Sequence, residues 1–120
     1  SAADPVDKVD LRVGLIESVE KHPEADMLYV LKVDLGEQSR AEPPDLDNRR
    51  TIVSGLVKHY QPEQLLHKKI VVLANMKPRK LRGITSQGML LAASSSAGSG
   101  PAVVEVLEAP ADARPGDLVF

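Results

Sequence analysis

The chain has 120 residues, 42% hydrophobic and 27% charged, with a net charge of −2, which suits one globular domain with a modest core and argues against a wholly disordered chain. It holds no cysteine, so disulfides, thiolate zinc sites and cysteine nucleophiles are excluded and a reducing compartment is expected. No run approaches the roughly 20 apolar residues that span a bilayer, and the acidic start SAADPVDKVD has no apolar signal core, so a cytoplasmic protein without a membrane partner is expected.

Residues 1–8 are expected to form a flexible N-terminal segment, and residues 9–120 the domain. From Val9 to Val19 apolar Val9, Leu11, Val13 and Leu15 alternate with Asp10, Arg12 and Gly14, the period of a half-buried strand. The phase slips at Leu15-Ile16 beside Gly14, as at a bulge or sharp bend. Lys21 to Asp26 is a polar turn in which Pro23 keeps His22 extended. Leu28 to Leu35 predicts a second strand, with Leu28, Val30 and Lys32 on one face and Tyr29, Leu31, Val33 and Leu35 on the other. Residues 36–50, GEQSRAEPPDLDNRR, read as an inserted polar loop, longer than the usual connection of about 4–6 residues.

Thr51 to Ser54 predicts a third strand stopped at Gly55, and Pro62 to Leu66 one or two helical turns with Pro at the first position. Lys69 to Ala74 is nearly all apolar, as in a strand buried on both faces. Gly88 to Ala93 predicts a fifth strand, Ser94 to Pro101 a loop tip, Val103 to Leu107 a last strand, and Pro115-Gly116-Asp117 a turn. Short strands with one short helix after the third, and no alternation of strands and helices, favour a small closed or partly closed β-barrel. An all-β, five-stranded barrel with its helix between strands 3 and 4 is the OB-fold.

The charge is unevenly placed. Residues 1–50 carry twelve acids and seven bases, a net of −5, while residues 51–120 carry five acids and eight bases, a net of +3. Six of those bases lie between Lys68 and Arg82, and no acid occurs between Glu63 and Glu105. Clustered positive charge on an acidic chain points to a phosphate-bearing partner, with a solvated loop as the alternative. Aromatic residues number only three, Tyr29, Tyr60 and Phe120. Few base-stacking platforms of the kind that hold single strands can be built from them.

Three stretches, DLRVGLIESVEKHPEADMLYVLKVDLG (10–36), IVSGLVKHYQPEQL (52–65) and KKIVVLANMKPRKLRGITSQGMLLAAS (68–94), resemble one family. It is the tRNA-binding domain appended to many methionyl-tRNA synthetases, which also occurs as free-standing bacterial tRNA-binding proteins and in endothelial monocyte-activating polypeptide II. The resemblance runs from about Asp7 to Phe120, and its most specific part is N-x-K-P-x-K-x-R-G-x-x-S-x-G-M. It implies an OB barrel that binds tRNA without catalysis or cofactor, in association with an aminoacyl-tRNA synthetase or a multisynthetase complex. The chain ends at Phe120, where polypeptide II relatives continue into an extra segment, so it resembles the bacterial type that pairs as a homodimer.

The resemblance and the placement of the charges together give an expected RNA-binding set of Lys32, Asn75, Lys77, Arg79, Lys80, Arg82, Ser86 and Met89. Lys77 and Lys80 match the family's lysines, Arg82 its arginine before glycine, and Ser86 and Met89 its S-x-x-M; Arg79 is an additional charge. Lysine supplies a mobile point charge and arginine a bidentate grip on phosphate. Ser86 can hydrogen-bond a phosphate or a 2′-OH, and Met89 offers an adaptable apolar contact. Asn75 holds the loop or reaches the RNA, and Lys32 extends the positive surface. Core filling for Met89 and a turn hydroxyl for Ser86 are the alternatives.

His22, Glu24 and Asp26 crowd one turn but lack a second ligand cluster, so a turn is expected rather than a metal site. Neither a nucleophile elbow nor a phosphate-cradling glycine loop is present, and no catalytic constellation is visible. Two rival functions stand beside RNA binding. One is a protein-interaction module like the small dimeric export chaperones, which needs an exposed apolar groove. The other is a cytokine-like activity of Arg12–Ser18, where RVGLIES departs from the family's heptapeptide at Glu17-Ser18; a core strand is the simpler reading.

Overall fold

The computed structural model of the protein describes residues 9–37, 49–95 and 103–120. The expected flexible segment 1–8, most of the expected insert 36–50, and residues 96–101 of the tip 94–101 lie outside the described residues. Ten strands and one helical turn follow in order: β1 (Leu11–His22), β2 (Ala25–Asp34), β3 (Arg50–Ser54), α1 (Pro62–Leu65), β4 (Lys69–Leu73), β5 (Arg79–Leu81), β6 (Ile84–Ser86), β7 (Met89–Leu90), β8 (Ala92–Ser95), β9 (Val103–Val106) and β10 (Leu118–Val119).

Five strands follow the order β3-β2-β1-β4-β7, and β10 joins β1 from outside that path. The helical turn falls between the third and fourth strands, as the OB arrangement requires. Besides β10, which meets it at Leu11 and Arg12, β1 serves two partners: Leu11 to Leu15 pair with β4, and Leu15 to His22 pair with β2. The register slips between Ile16 and Ser18, so the bulge expected beside Gly14 sits at Glu17. Gly14 itself answers a close approach. A Cβ there would lie 2.6 Å from Val33 Cγ1 and 3.1 Å from Val72 Cγ2, so the strands curl tightly only with hydrogen at this position.

The alternation read from the sequence holds in β2, where Tyr29, Leu31 and Val33 are buried, as is Leu35 just beyond it. They join Ile16, Ile52, Leu65, Ile70 and Val72 in one core. Full burial of each such aliphatic side chain contributes about 1.5–3 kcal/mol. α1 begins at Pro62, and the Gln61 amide donates to Gln64 Oε1 at 2.7 Å. The turn serves to seat Leu65, which is fully buried.

β3 and β7 are the ends of the five-strand path, and no ladder joins them. The gap is bridged by the segment leading into β7. Gln87 N–H donates to Thr51 O at 2.8 Å, Thr51 N–H donates to Gln87 Oε1 at 2.8 Å, and Val53 N–H donates to Ser86 Oγ at 2.9 Å. Closure therefore runs partly through side chains. The expected fifth strand is broken at Leu91 into β7 on β4 and β8 on β9.

Candidate nucleic-acid interface

The basic stretch after β4 is not the loop expected from the sequence. It is a hairpin, β5–β6, with Arg79 opposite Ser86, Lys80 opposite Thr85 and Leu81 opposite Ile84. Arg82 and Gly83 form its two-residue tip, with φ of 51° and 93°. Two successive positive φ values belong to the hairpin turn whose twist matches that of the flanking strands. Arg82 therefore holds a left-handed conformation that glycine or asparagine adopts more readily.

Lys77, Arg79, Lys80 and Arg82 are all exposed. Among the described residues none of the four has an ion-pair partner, whereas Arg12, Arg49, Arg50 and Lys68 pair with Asp10, Glu17, Glu37 and Glu108. Among the described residues, Arg12, Arg49, Arg50 and Lys68 are thus engaged with carboxylates, whereas Lys77, Arg79, Lys80 and Arg82 face solvent on or just before one hairpin.

The base of the hairpin is tied on both sides. Ala74 N–H donates to Asp10 O at 2.8 Å, and Asp10 N–H donates to Asn75 Oδ1 at 2.9 Å. Arg50 reaches from β3 to donate to the carbonyls of Ala74 and Gln87 while Glu37 holds its other edge. Lys32 lies beside the exit. Its Nζ donates to Thr51 Oγ1 at 2.7 Å, and Thr51 is hydrogen-bonded to Gln87. Through Thr51 and Gln87 the Lys32 charge adjoins the end of the hairpin's outgoing strand, and five of the expected residues, Lys32, Lys77, Arg79, Lys80 and Arg82, are exposed.

The other three differ. Met89 is 46% exposed beside buried Leu90, so it is not core filling and its thioether faces solvent. Asn75 is exposed and holds the entry of the segment. Ser86 is 2% exposed, and its Oγ accepts from Val53 N–H and donates to Gly88 O at 2.9 Å, the arrangement of a structural hydroxyl.

Sequence reasoning missed Arg50 and Gln87, the clamps of the hairpin base, and His22, which is buried and lies 3.1 Å from Leu81 O. A cation ending a polar stretch gives no hint of its partners; only the Lys-His-Pro turn between two apolar runs marks His22 as unusual. Both ring nitrogens of His22 are occupied, Nδ1 by Glu24 N–H at 3.0 Å, so the His22-Glu24-Asp26 turn presents no imidazole lone pair to a metal. A cleft of about 410 Å³ beside the hairpin base is lined by Asp10, Arg12, Glu37, Arg50 and Asp117, but its arginines are engaged with carboxylates and carbonyls. Both tyrosines are used internally, Tyr29 Oη donating to Tyr60 O and Tyr60 Oη accepting from Val106 N–H. Arg12–Ser18 lies within the central strand. Among the described residues no helix is long and apolar enough to cross a membrane.

The family model described as "Putative tRNA binding domain" matches residues 11–118. The cytoplasmic methionine–tRNA ligase of Caenorhabditis elegans is 44% identical over 125 residues, taking in 99% of this chain and 12% of the ligase. A MetRS related protein from Pyrococcus horikoshii superposes with a TM-score of 0.79 at 32% identity, covering 98% of this chain and 95% of that one. The CsaA chaperone protein of Picrophilus torridus does so with a TM-score of 0.76 at 25% identity, covering 98% and 96%. With the barrel, its inserted basic hairpin and this match in hand, the chain belongs to the tRNA-binding domain family.

Proposed function

We propose that the chain is a non-catalytic tRNA-binding module that supplies general, weakly sequence-specific tRNA affinity to an aminoacyl-tRNA synthetase in the cytoplasm, in cis or in trans. The observation that carries this reading is a group of four exposed cations, Lys77 just before the hairpin and Arg79, Lys80 and Arg82 on it, none with an ion-pair partner among the described residues, with Lys32 near the hairpin base. Phosphate contacts position a nucleic acid without reading its sequence. With Tyr29 and Tyr60 spent internally, stacking on splayed bases has little support, and a folded RNA gripped by its backbone fits better than an extended single strand. Lys77, Arg79, Lys80, Arg82 and Lys32 carry the phosphate contacts, Met89 an apolar contact to sugar or base, and Asn75 the shape of the entry.

The test is a competition experiment. Labelled tRNA bound to the chain is displaced by unlabelled tRNAs of several specificities and by a single-stranded oligonucleotide of equal length. Equal displacement by all tRNAs, with the single strand much weaker, is the expected result; one tRNA outcompeting the rest, or the single strand matching them, would overturn the reading.

A second reading, a polypeptide-binding module, is favoured by the likeness to the CsaA chaperone. Suppression of aggregation of an unfolded protein, unaffected by saturating tRNA, would support it. For either module we propose a homodimer. Val9, Leu118 and Phe120 are exposed apolar residues at or beside the paired ends of β1 and β10, and light scattering is expected to give about 26 kDa against 12.9 kDa for one chain.

A further inference from the structure

We propose that His22 is a positioning residue for RNA binding: its imidazole holds the tip of the basic hairpin against the β1–β2 turn, so that the hairpin's cations are ordered before RNA arrives. The inference rests on the tRNA-binding reading above and assigns a role to a residue that touches no RNA.

His22 ends β1 and is 4% exposed. Its Nδ1 lies 3.0 Å from the backbone nitrogen of Glu24. An amide N–H can only donate, so Nδ1 carries the lone pair and the ring proton sits on Nε2. Nε2 lies 3.1 Å from Leu81 O, across 59 residues of sequence, and donates to it. The turn thus sets the tautomer, and the tautomer makes the bond to the hairpin. Leu81 ends β5 and precedes the Arg82-Gly83 tip.

The other hydrogen bonds that tie this segment, through Asn75, Arg50, Ser86 and Gln87, lie at its base. A hairpin of two three-residue strands is marginal alone, and Arg79, Lys80 and Arg82 repel one another at its end. Ordering such a segment on binding costs affinity, and a hold present beforehand removes that cost. In OB folds the loop joining strands 1 and 2 and the loop joining strands 4 and 5 flank the nucleic-acid face. His22 and Leu81 join these two loops directly.

Three variants of the 120-residue chain separate the two bonds of the ring. His22→Gln puts an amide nitrogen near the position of Nε2 and keeps a donor for Leu81 O, but loses the acceptor for Glu24. His22→Asn keeps an acceptor near Nδ1 and cannot reach Leu81. His22→Ala loses both. We expect Asn and Ala to weaken tRNA binding about 5- to 10-fold, the size of one lost hydrogen bond, and Gln to retain most of the affinity. The slope of log affinity against log salt stays that of the wild type in all three, because no cation is removed. Amide hydrogen exchange across β5–β6 quickens in Asn and Ala but not in Gln, with melting followed in parallel.

Wild-type affinity in His22→Asn would overturn the proposal, as would a Gln variant that falls as far as Ala, since the effect would then belong to the turn. If the wild-type chain binds no tRNA, the binding reading fails by itself. The exchange comparison still decides the latch, and equal rates in all four proteins would remove it.

Discussion

At the scale of single residues, availability separates the cations more than number does. Arg12, Arg49 and Arg50 are already paired with carboxylates, and a charge so neutralised releases few counterions from RNA. Lys77, just before the hairpin, and Arg82, at its tip, are exposed and have no ion-pair partner among the described residues. Replacing both is expected to weaken binding about 5- to 10-fold per lost contact near 0.1 M salt, equally for all tRNAs and with melting unchanged. Arg82→Asn is the better substitution at the tip, because asparagine tolerates the left-handed backbone at φ 51° that strains alanine. Loss for one tRNA only, in filter-binding titrations, would contradict backbone recognition. Ser86 carries the opposite expectation. Ser86→Ala leaves the buried Val53 N–H without its acceptor, a loss of about 1–3 kcal/mol in denaturant unfolding, while the folded variant binds tRNA as before.

At the scale of elements, what the sequence displays depends on length and on where partners lie. β2 and β4 were legible because their buried faces repeat over five or more positions. β5 and β6 were not: three residues each are too few for a period, and the cations that mark the hairpin as functional also hide it as a strand. β10, two residues long, is too short for a period for the same reason. The burial of Ser86 is not legible from its place between Thr85 and Gln87, because its partner Val53 lies 33 residues away. His22 was legible only as a turn, since its second partner is 59 residues away. The short α1 was legible from Pro62, and its worth is testable. Leu65→Ala opens a cavity where a fully buried side chain sits, at an expected cost of about 2–5 kcal/mol. Gly14→Ala forces a Cβ to 2.6 Å from Val33 Cγ1, an overpacking cost of about 1–3 kcal/mol. Either variant melting like the wild type would mean that the element is more plastic than its packing implies.

At the scale of the whole molecule, a net charge of −2 means that long-range attraction to RNA is weak and that local placement must supply the affinity. Exposed acidic residues on the first half of the chain, such as Glu20, Glu24 and Asp26, repel phosphate. Binding should then behave as a small, fixed number of phosphate contacts rather than as a diffuse polycation effect. With about four phosphates neutralised, affinity should fall with a log–log salt slope of about −3 to −4. Lys77→Ala with Arg82→Asn should halve that slope, whereas Arg12→Ala, which removes a paired cation, should leave it unchanged. The three slopes are measurable by fluorescence anisotropy with tRNA between about 50 and 200 mM salt, the range over which counterion release dominates. A flat wild-type slope would remove the electrostatic account altogether. An Arg12→Ala slope reduced as far as that of the hairpin variant would show that charge acts through the field of the whole chain instead of through the hairpin.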